Sequence, residues 1–193
     1  MSSYCEISVG HEFHGPYHDS EYGFPVDDDD RLFERLMLEI NQAGLSWLTI
    51  LKKRDGFRAA YHQFAIDRVA RYGARDTQRL LGDERIIRNR LKVAAAIENA
   101  KRIKALQKAH GSFGAWLDTQ SARTLDEWRP IFKRTFVFTG GEIVHSFLMS
   151  TGYLPGAHDE GCPVYRRILR LKPAWTRSTR PPSPRAKPQS HRG

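Results

Sequence analysis

The sequence has no long apolar run and few cysteines, and each shortage excludes a class of protein. No stretch is apolar enough to cross a membrane, and the opening residues lack the charged and then apolar pattern of a secretory signal. Only two cysteines occur, Cys5 and Cys162. We therefore expect a cytoplasmic, monomeric protein with no membrane partner. In a reducing compartment a disulfide is unfavourable, so the two thiols either ligate a metal or are inert.

The sequence also lacks the alternation of apolar and polar residues that is typical of strands, and it has no internal repeat. Apolar residues recur instead at helical spacing, so the predicted fold class is all-α. With 193 residues, of which 40% are hydrophobic, the chain can bury a sizeable core. We predict one unit over residues 1–171, with an irregular arm (1–25) and a helical body (26–171).

Acidic residues are absent from the last segment, residues 172–193, which holds six basic residues and five of the ten prolines. This composition predicts a disordered basic tail. The formal net charge of the whole chain is +9, which favours an anionic partner, and nucleic acid more than a membrane surface.

The most informative stretch is Leu38 to Arg54, LEINQAGLSWLTILKKR. A helix predicted from about Arg31 to Leu51 collects its apolar residues in one arc, and Gly44 is expected to kink or end its first part. Glu39 falls at the rim of this arc, within about 80° of Trp47. Two interpretations remain open. Glu39 is either solvated or a partly buried carboxylate in an aromatic pocket, where pKa values are shifted for chemistry.

Other segments complete the helical prediction. The acidic run 27–30 is suited to the start of the central helix. Further helices are predicted at Phe57–Phe64, Ile66–Tyr72, Thr77–Leu81, Ile86–Lys108, Leu125–Lys133 and Ile143–Thr151, and a short apolar patch at Ser112–Leu117.

Histidine and cysteine spacing suggests a metal site. His158 and Cys162 can face one ion from a single turn, and Cys5 and His18 could complete a four-ligand set. Two cysteines and two histidines form the closed tetrahedral shell of structural zinc, which would tie the arm to the end of the body. Because the chain has eight histidines, chance spacing is the alternative.

At this point the chain resembles the bacterial DNA-3-methyladenine glycosylase I family. The resemblance rests on four blocks, which follow in the order of that family: Tyr17 to Gly23, YHDSEYG; Gln42 to Trp47 with Leu51 to Arg54; Ile86 to Lys92, IIRNRLK; and Ser146-Phe147 through Gly152 to His158 and Cys162.

The resemblance implies an all-α, helix-hairpin-helix glycosylase that excises 3-methyladenine or a related alkylated base from double-stranded DNA. It implies base flipping and N-glycosidic hydrolysis without lyase activity. It places a structural zinc ion on the four ligands Cys5, His18, His158 and Cys162. It also implies that Glu39 reads or activates the base between Tyr17 and Trp47.

The same resemblance places the DNA-binding hairpin at Arg85 to Lys92, where a helix start binds a phosphate and Arg88, Arg90 and Lys92 add attraction that does not depend on sequence. The alternative is a solvated basic face on an ordinary helix. Both interpretations fit the composition of the segment.

Several positions depart from the family pattern. Ile7 stands where a tryptophan is usual, His14 where a tyrosine is expected, Arg85 in place of glycine, and Gly141-Glu142 in place of a hydroxyl-rich pair. Tyr22 replaces another tryptophan. Glu142 could bring a second carboxylate near Glu39. Two alternatives follow: a zinc-stapled DNA-binding protein without turnover, or a glycosylase for a different modified base.

Overall fold

A computed structural model describes residues 3–120 and 123–177, and no strand occurs in these two ranges. The all-α prediction is confirmed. The helices are α1 (Tyr4–Ser8), α2 (His14–Ser20), α3 (Asp29–Gln42), α4 (Trp47–Ala60), α5 (Ile66–Val69), α6 (Ala74–Gly82), α7 (Arg90–His110), α8 (Phe113–Thr119), α9 (Leu125–Thr135), α10 (Gly141–Ser150) and α11 (Pro163–Arg170). Within the described ranges, no helix combines the length and apolar character of a membrane span.

Helix α3 is the centre of the fold. It packs against α4, α5, α7, α8 and α10, and every residue from Leu32 to Asn41 is buried. The helix is therefore covered on all sides rather than along one apolar arc. Glu39 is 6% exposed, so the interpretation as a solvated rim residue is wrong.

The predicted single helix from Arg31 to Leu51 is two helices. Gly44 adopts a positive φ of 82°, which a helix interior does not accommodate, and Ser46 caps the start of α4 by accepting a hydrogen bond from the amide of Thr49. Lys92 stabilises the break from the other side, because its Nζ donates to the carbonyls of Asn41 and Ala43 at 2.8 and 2.7 Å.

The carboxylates of the acidic run accept hydrogen bonds at the starts of three helices, and α3, which follows the run, is one of them. Asp28 caps α3, as predicted, by accepting from the amide of Arg31. Asp29 instead accepts from the amides of Phe113 and Gly114 at the start of α8, and Asp30 accepts from the amide of Ile66 at the start of α5. Three consecutive carboxylates thus join three helices that are remote in sequence.

The arm is more regular than predicted, because two short helices form within residues 1–25. Ser3 and Glu6 form a reciprocal capping box at the start of α1. Pro16 lies in the first turn of α2, where its missing amide hydrogen costs no helical hydrogen bond.

The helical hairpin consists of α6 and α7, joined by residues 83–89. Helix α7 starts at Arg90 rather than at the predicted Ile86, because Asn89 caps it by accepting from the amides of Leu91 and Lys92. Helix α4 runs on through Gly56, where the sequence predicted a break. A Cβ at Gly56 would lie 2.6 Å from the Cβ of Arg85, so the glycine permits close approach of the hairpin loop.

The body continues beyond the predicted boundary at residue 171. A short 3-10 turn, Ala174–Thr176, follows α11, and Trp175 stacks on Tyr165 with 6.4 Å between ring centroids. Residues 172–177 are therefore part of the fold. The rest of the predicted tail, residues 178–193, lies outside the described residues.

Candidate functional site

A pocket of about 220 Å³ opens beside α3, between the arm and the body. Its lining residues come from two parts of the chain. The arm wall consists of Tyr4, Tyr17 and Tyr22, and the body wall of Glu39, Gln42, Trp47 and Ser146. The structure thus brings together Tyr17, Glu39 and Trp47, the three residues that the sequence singled out for the pocket.

Glu39 contributes the only carboxylate among the residues that line the pocket. Burial raises the pKa of this carboxyl to about 8, while the nearby Arg35 guanidinium and the Ser150 hydroxyl act in the opposite direction. A carboxyl with such a pKa changes its charge easily when a cation enters or leaves its surroundings.

Aromatic rings surround the carboxyl. The ring centroids of Tyr17 and Trp47 lie 5.2 Å apart at 58°, and Tyr22 lies 5.7 Å from Tyr17. Tyr4 completes the wall, 4.9 Å from Tyr22 in an edge-to-face arrangement. The pocket can therefore stack a planar group and, since aromatic faces are electronegative, attract a cationic one.

The sequence did not assign Tyr4, Gln42 or Ser146 to the pocket. Gln42 and Ser146 belong to blocks that carried the family resemblance, so a usable signal was present for these two. Tyr4 had no comparable signal, because its place in the wall depends on the fold of the arm.

Two residues of the arm that depart from the family pattern, Ile7 and His14, lie outside the pocket lining. Ile7 is 49% exposed and does not line the pocket. His14 does not line it either, but its Nδ1 is hydrogen-bonded with the hydroxyl of Tyr4 at 3.1 Å. His14 thus holds the hydroxyl of Tyr4 from outside the pocket lining.

Ion pairs connect the arm to α3 and α4. Both carboxylate oxygens of Glu21 accept from Arg54 at 2.6 Å, and Arg35 lies 3.0 Å from the same carboxylate. Arg35 also stands 4.7 Å from the ring centroid of Tyr17. This network holds two guanidinium groups over the Tyr17 ring, because Arg54 also lies 5.9 Å from its centroid.

Cys5, His18, His158 and Cys162 converge at the far side of the arm. Their ligand atoms all lie within 4.8 Å of one another. His158 Nδ1 is 3.7 Å from each sulfur and 3.1 Å from His18 Nε2. A tetrahedral zinc ion requires ligand separations of about 3.3 to 3.8 Å. The 3.7 Å from His158 Nδ1 to each sulfur lies in this range, and the two nitrogens are closer together, so small side-chain shifts would complete the shell.

The outer nitrogens of the two imidazoles also have partners. His18 Nδ1 lies 2.7 Å from Asp19 Oδ1, and His158 Nε2 lies 2.7 Å from the carbonyl of Tyr22. Partners of this kind orient metal-binding histidines and select the tautomer that ligates. The group can therefore hold a metal ion, and it would join α1 and α2 to the segment before α11.

The three basic residues predicted to meet DNA do not lie together. Arg88 and Arg90 are exposed at the hairpin, and Arg88 is 3.6 Å from Glu84. Lys92 is only 5% exposed and points inward to the carbonyls at the end of α3. The prediction that Lys92 contacts a DNA phosphate is therefore wrong. Lys92 stabilises the turn between α3 and α4 instead.

Glu142 is the other carboxylate that the sequence brought into consideration. It is exposed in the first turn of α10 and does not line the pocket. It stands one helical turn before Ser146, which does.

Comparisons with known proteins agree with this geometry. A family model described as methyladenine glycosylase matches residues 9–165. The chain is 36% identical over 182 residues to a DNA-3-methyladenine glycosylase of Haemophilus influenzae, covering 84% of this chain and 98% of the relative. It is 37% identical over 168 residues to DNA-3-methyladenine glycosylase 1 of Escherichia coli strain K12, covering 77% and 89%.

Two solved structures are similar in fold. One is a 3-methyladenine DNA glycosylase I in complex with 3-methyladenine, with a TM-score of 0.77, 30% identity and coverage of 84% of this chain and 97% of that chain. The other is 3-methyladenine DNA glycosylase I from Staphylococcus aureus, with a TM-score of 0.76, 30% identity and coverage of 83% and 95%.

Proposed function

This chain belongs to the methyladenine glycosylase family, and from that membership we propose that it is a monofunctional DNA glycosylase that removes 3-methyladenine from double-stranded DNA. The observation that carries the proposal is a buried carboxylate, Glu39, facing a pocket lined by four aromatic rings. A base in duplex DNA is inaccessible within the stack, so it must be extruded into a pocket of this kind.

Recognition depends on the charge of the damaged base. Methylation at N3 gives adenine in DNA a positive charge, which the faces of Tyr17 and Trp47 attract by cation–π contact. Glu39 complements the same charge by a charge-assisted hydrogen bond. Entry of the cation favours the ionised form of Glu39, against the burial that raises the pKa of this carboxyl.

Hydrolysis then needs modest assistance. The bond between the sugar and the base breaks with its electron pair leaving on the base, which becomes neutral, and water adds to the sugar carbon. Positive charge moves to the sugar as the bond lengthens, where a nearby carboxylate lowers the barrier. No lyase step is needed, and the DNA backbone remains intact.

The metal group is proposed to bind one zinc ion through Cys5, His18, His158 and Cys162. With four protein ligands the shell is closed, so zinc would supply structural stability and no chemistry at the pocket. Support comes from the donor types, from their convergence within 4.8 Å of one another, and from the nitrogen–sulfur separations of 3.7 Å.

The hairpin between α6 and α7 is proposed to contact the DNA backbone through Arg88 and Arg90, with salt-dependent attraction that is independent of sequence. We further propose that the protein acts as a monomer in the cytoplasm, where it reaches the chromosome.

The decisive experiment is a base-release assay. Duplex DNA containing methylated bases is incubated with the wild type, with Glu39→Gln and with Glu160→Gln, a control that removes an exposed charge away from the pocket. We expect free 3-methyladenine from the wild type and from the control, and a release rate about 100-fold lower for Glu39→Gln.

Duplex binding without release by the wild type would instead identify a DNA-binding protein without turnover. Release of a different modified base would redefine the substrate. Undiminished release by Glu39→Gln would remove Glu39 from the mechanism.

A further inference from the structure

Three residues of α10 form a row that leads from the interior to the surface. Ser150, Ser146 and Glu142 follow one another at intervals of four, so they share a helix face. Ser150 is fully buried, Ser146 is half-buried and Glu142 is exposed. The row therefore runs from the interior to the surface, and its middle member, Ser146, lines the pocket.

The two ends of this row have different neighbours. At the deep end, Ser150 is fully buried beside Glu39, and its hydroxyl acts to lower the pKa of that carboxyl. Ser146 lines the pocket at mid-depth. Glu142 lies eight residues before Ser150, about 12 Å along the helix axis, and helical side chains lean toward the N-terminus and thus farther outward. Glu142 is consequently the exposed member of the row, one turn beyond the pocket-lining Ser146 on the outward side.

An extruded nucleotide is oriented in the same direction as this row, from the interior to the surface. Its base occupies the deep end beside Glu39, and its deoxyribose remains near the mouth, where it joins the DNA backbone. The sugar carbon that carries the glycosidic bond is thus placed closer to Glu142 than the base is.

The charge of Glu142 is not used elsewhere in the described part of the chain, where no basic side chain forms an ion pair with it. Arg129, the cation that packs against neighbouring Gly141, is paired with Asp126 at 2.8 Å. A free carboxylate facing DNA weakens phosphate binding, so it is unfavourable there unless it meets a positive charge.

We propose that Glu142 is a second catalytic carboxylate of this protein, which faces the deoxyribose of the extruded nucleotide and stabilises the positive charge that develops at C1′. The proposal rests on the glycosylase function proposed above. As the bond from C1′ to the base breaks, its electron pair leaves on the base. The oxygen of a water molecule bonds to C1′, and the proton that this water loses passes to Glu142.

The test is single-turnover base release at saturating protein, with lesion-DNA affinity measured on the same samples. Glu142→Gln removes the charge at nearly constant shape, and Glu160→Gln is the matched control for loss of one exposed charge. We expect Glu142→Gln to release base about 10- to 100-fold more slowly, with lesion-DNA affinity unchanged or higher. Glu160→Gln should match the wild type in both measurements.

A release rate for Glu142→Gln within twofold of the wild type overturns the proposal. So does a loss that disappears when protein is saturating, because that loss belongs to DNA binding. Wild-type release in the same assay tests the proposed function separately, and its absence would overturn both. Partial recovery of the rate in Glu142→Asp supports a role for the charge over one for side-chain shape, and thermal unfolding confirms that each variant is folded.

Discussion

The body wall of the pocket is backed by the hydrophobic core, whereas the arm wall is held by a small number of polar contacts. Glu39 belongs to α3, whose apolar neighbours are fully buried, so many contacts fix its position. The arm meets the body at the cluster of Cys5, His18, His158 and Cys162, which we propose binds zinc, and through Glu21 with Arg54 and Arg35. The comparison shows that one pocket can combine a wall stabilised by packing with a wall stabilised by a few strong bonds.

The largest expected effect comes from removing a ligand of the metal group, which should disturb the arm wall and leave the body wall in place. Cys162→Ser should lose about one equivalent of bound metal and on the order of 5 kcal/mol or more of stability. Base release should fall at least tenfold, because the arm wall loses its anchor. Far-UV circular dichroism should show that most of the helix content of the body is retained.

A chelator provides the matching control for this comparison. It should lower the unfolding temperature of the wild type and leave that of Cys162→Ser nearly unchanged. A wild type purified without added zinc that contains no metal and is equally stable would contradict the structural role of the cluster.

The second effect concerns the body wall and depends on pH. Burial raises the pKa of Glu39 from 4.5 in the unfolded chain to about 8 in the folded protein, so the folded state holds the proton more tightly. Its contribution to stability is complete below pH 4.5 and is lost as the pH rises through 8. From pH 6 to pH 9 the wild type should therefore lose on the order of 3 kcal/mol of stability relative to Glu39→Gln.

Urea unfolding of both proteins at pH 6 and pH 9 measures this difference. Identical pH dependence in wild type and variant would show that the Glu39 carboxyl is not buried in an uncompensated state.

The smallest effect tests the support of the arm wall. Tyr4→Phe removes the hydroxyl that is bonded with His14 and keeps the ring. A hydrogen bond of this type contributes about 1 kcal/mol, so affinity for free 3-methyladenine should fall about fivefold. Titration followed by tryptophan fluorescence is suitable, because Trp47 lies in the same pocket.

Tyr165→Phe, outside the pocket, is the control and should bind like the wild type. Unchanged affinity in both Tyr4→Phe and Tyr4→Ala would exclude Tyr4 from base binding, and the arm wall would then consist of Tyr17 and Tyr22.

Much of the site could be predicted from the sequence because its chemistry resides in residue types at fixed spacing. His158 and Cys162 are four positions apart, and the block from Gln42 to Trp47 is specific enough to indicate the family. The inward position of Lys92 could not be predicted in this way. The basic residues around it look alike in sequence, and only the carbonyls at the end of α3 distinguish Lys92 from Arg90.

The acidic run is a second example of this limit. Local sequence is sufficient to predict that Asp28 caps the helix that follows it, because the cap lies within one turn. The partners of Asp29 are 78 to 85 residues away, so no local pattern contains them.

By itself, the sequence determined the all-α class, the ligand types of the metal group and the choice of Glu39 as the candidate carboxylate. Helical periodicity and motif spacing record contacts within a few residues, and these are present in the chain before it folds. Only the tertiary structure decided that Glu39 is buried, that Tyr4 joins the arm wall, and that Glu142 lies one turn outside the pocket. Burial and proximity of this kind depend on which distant helices pack together.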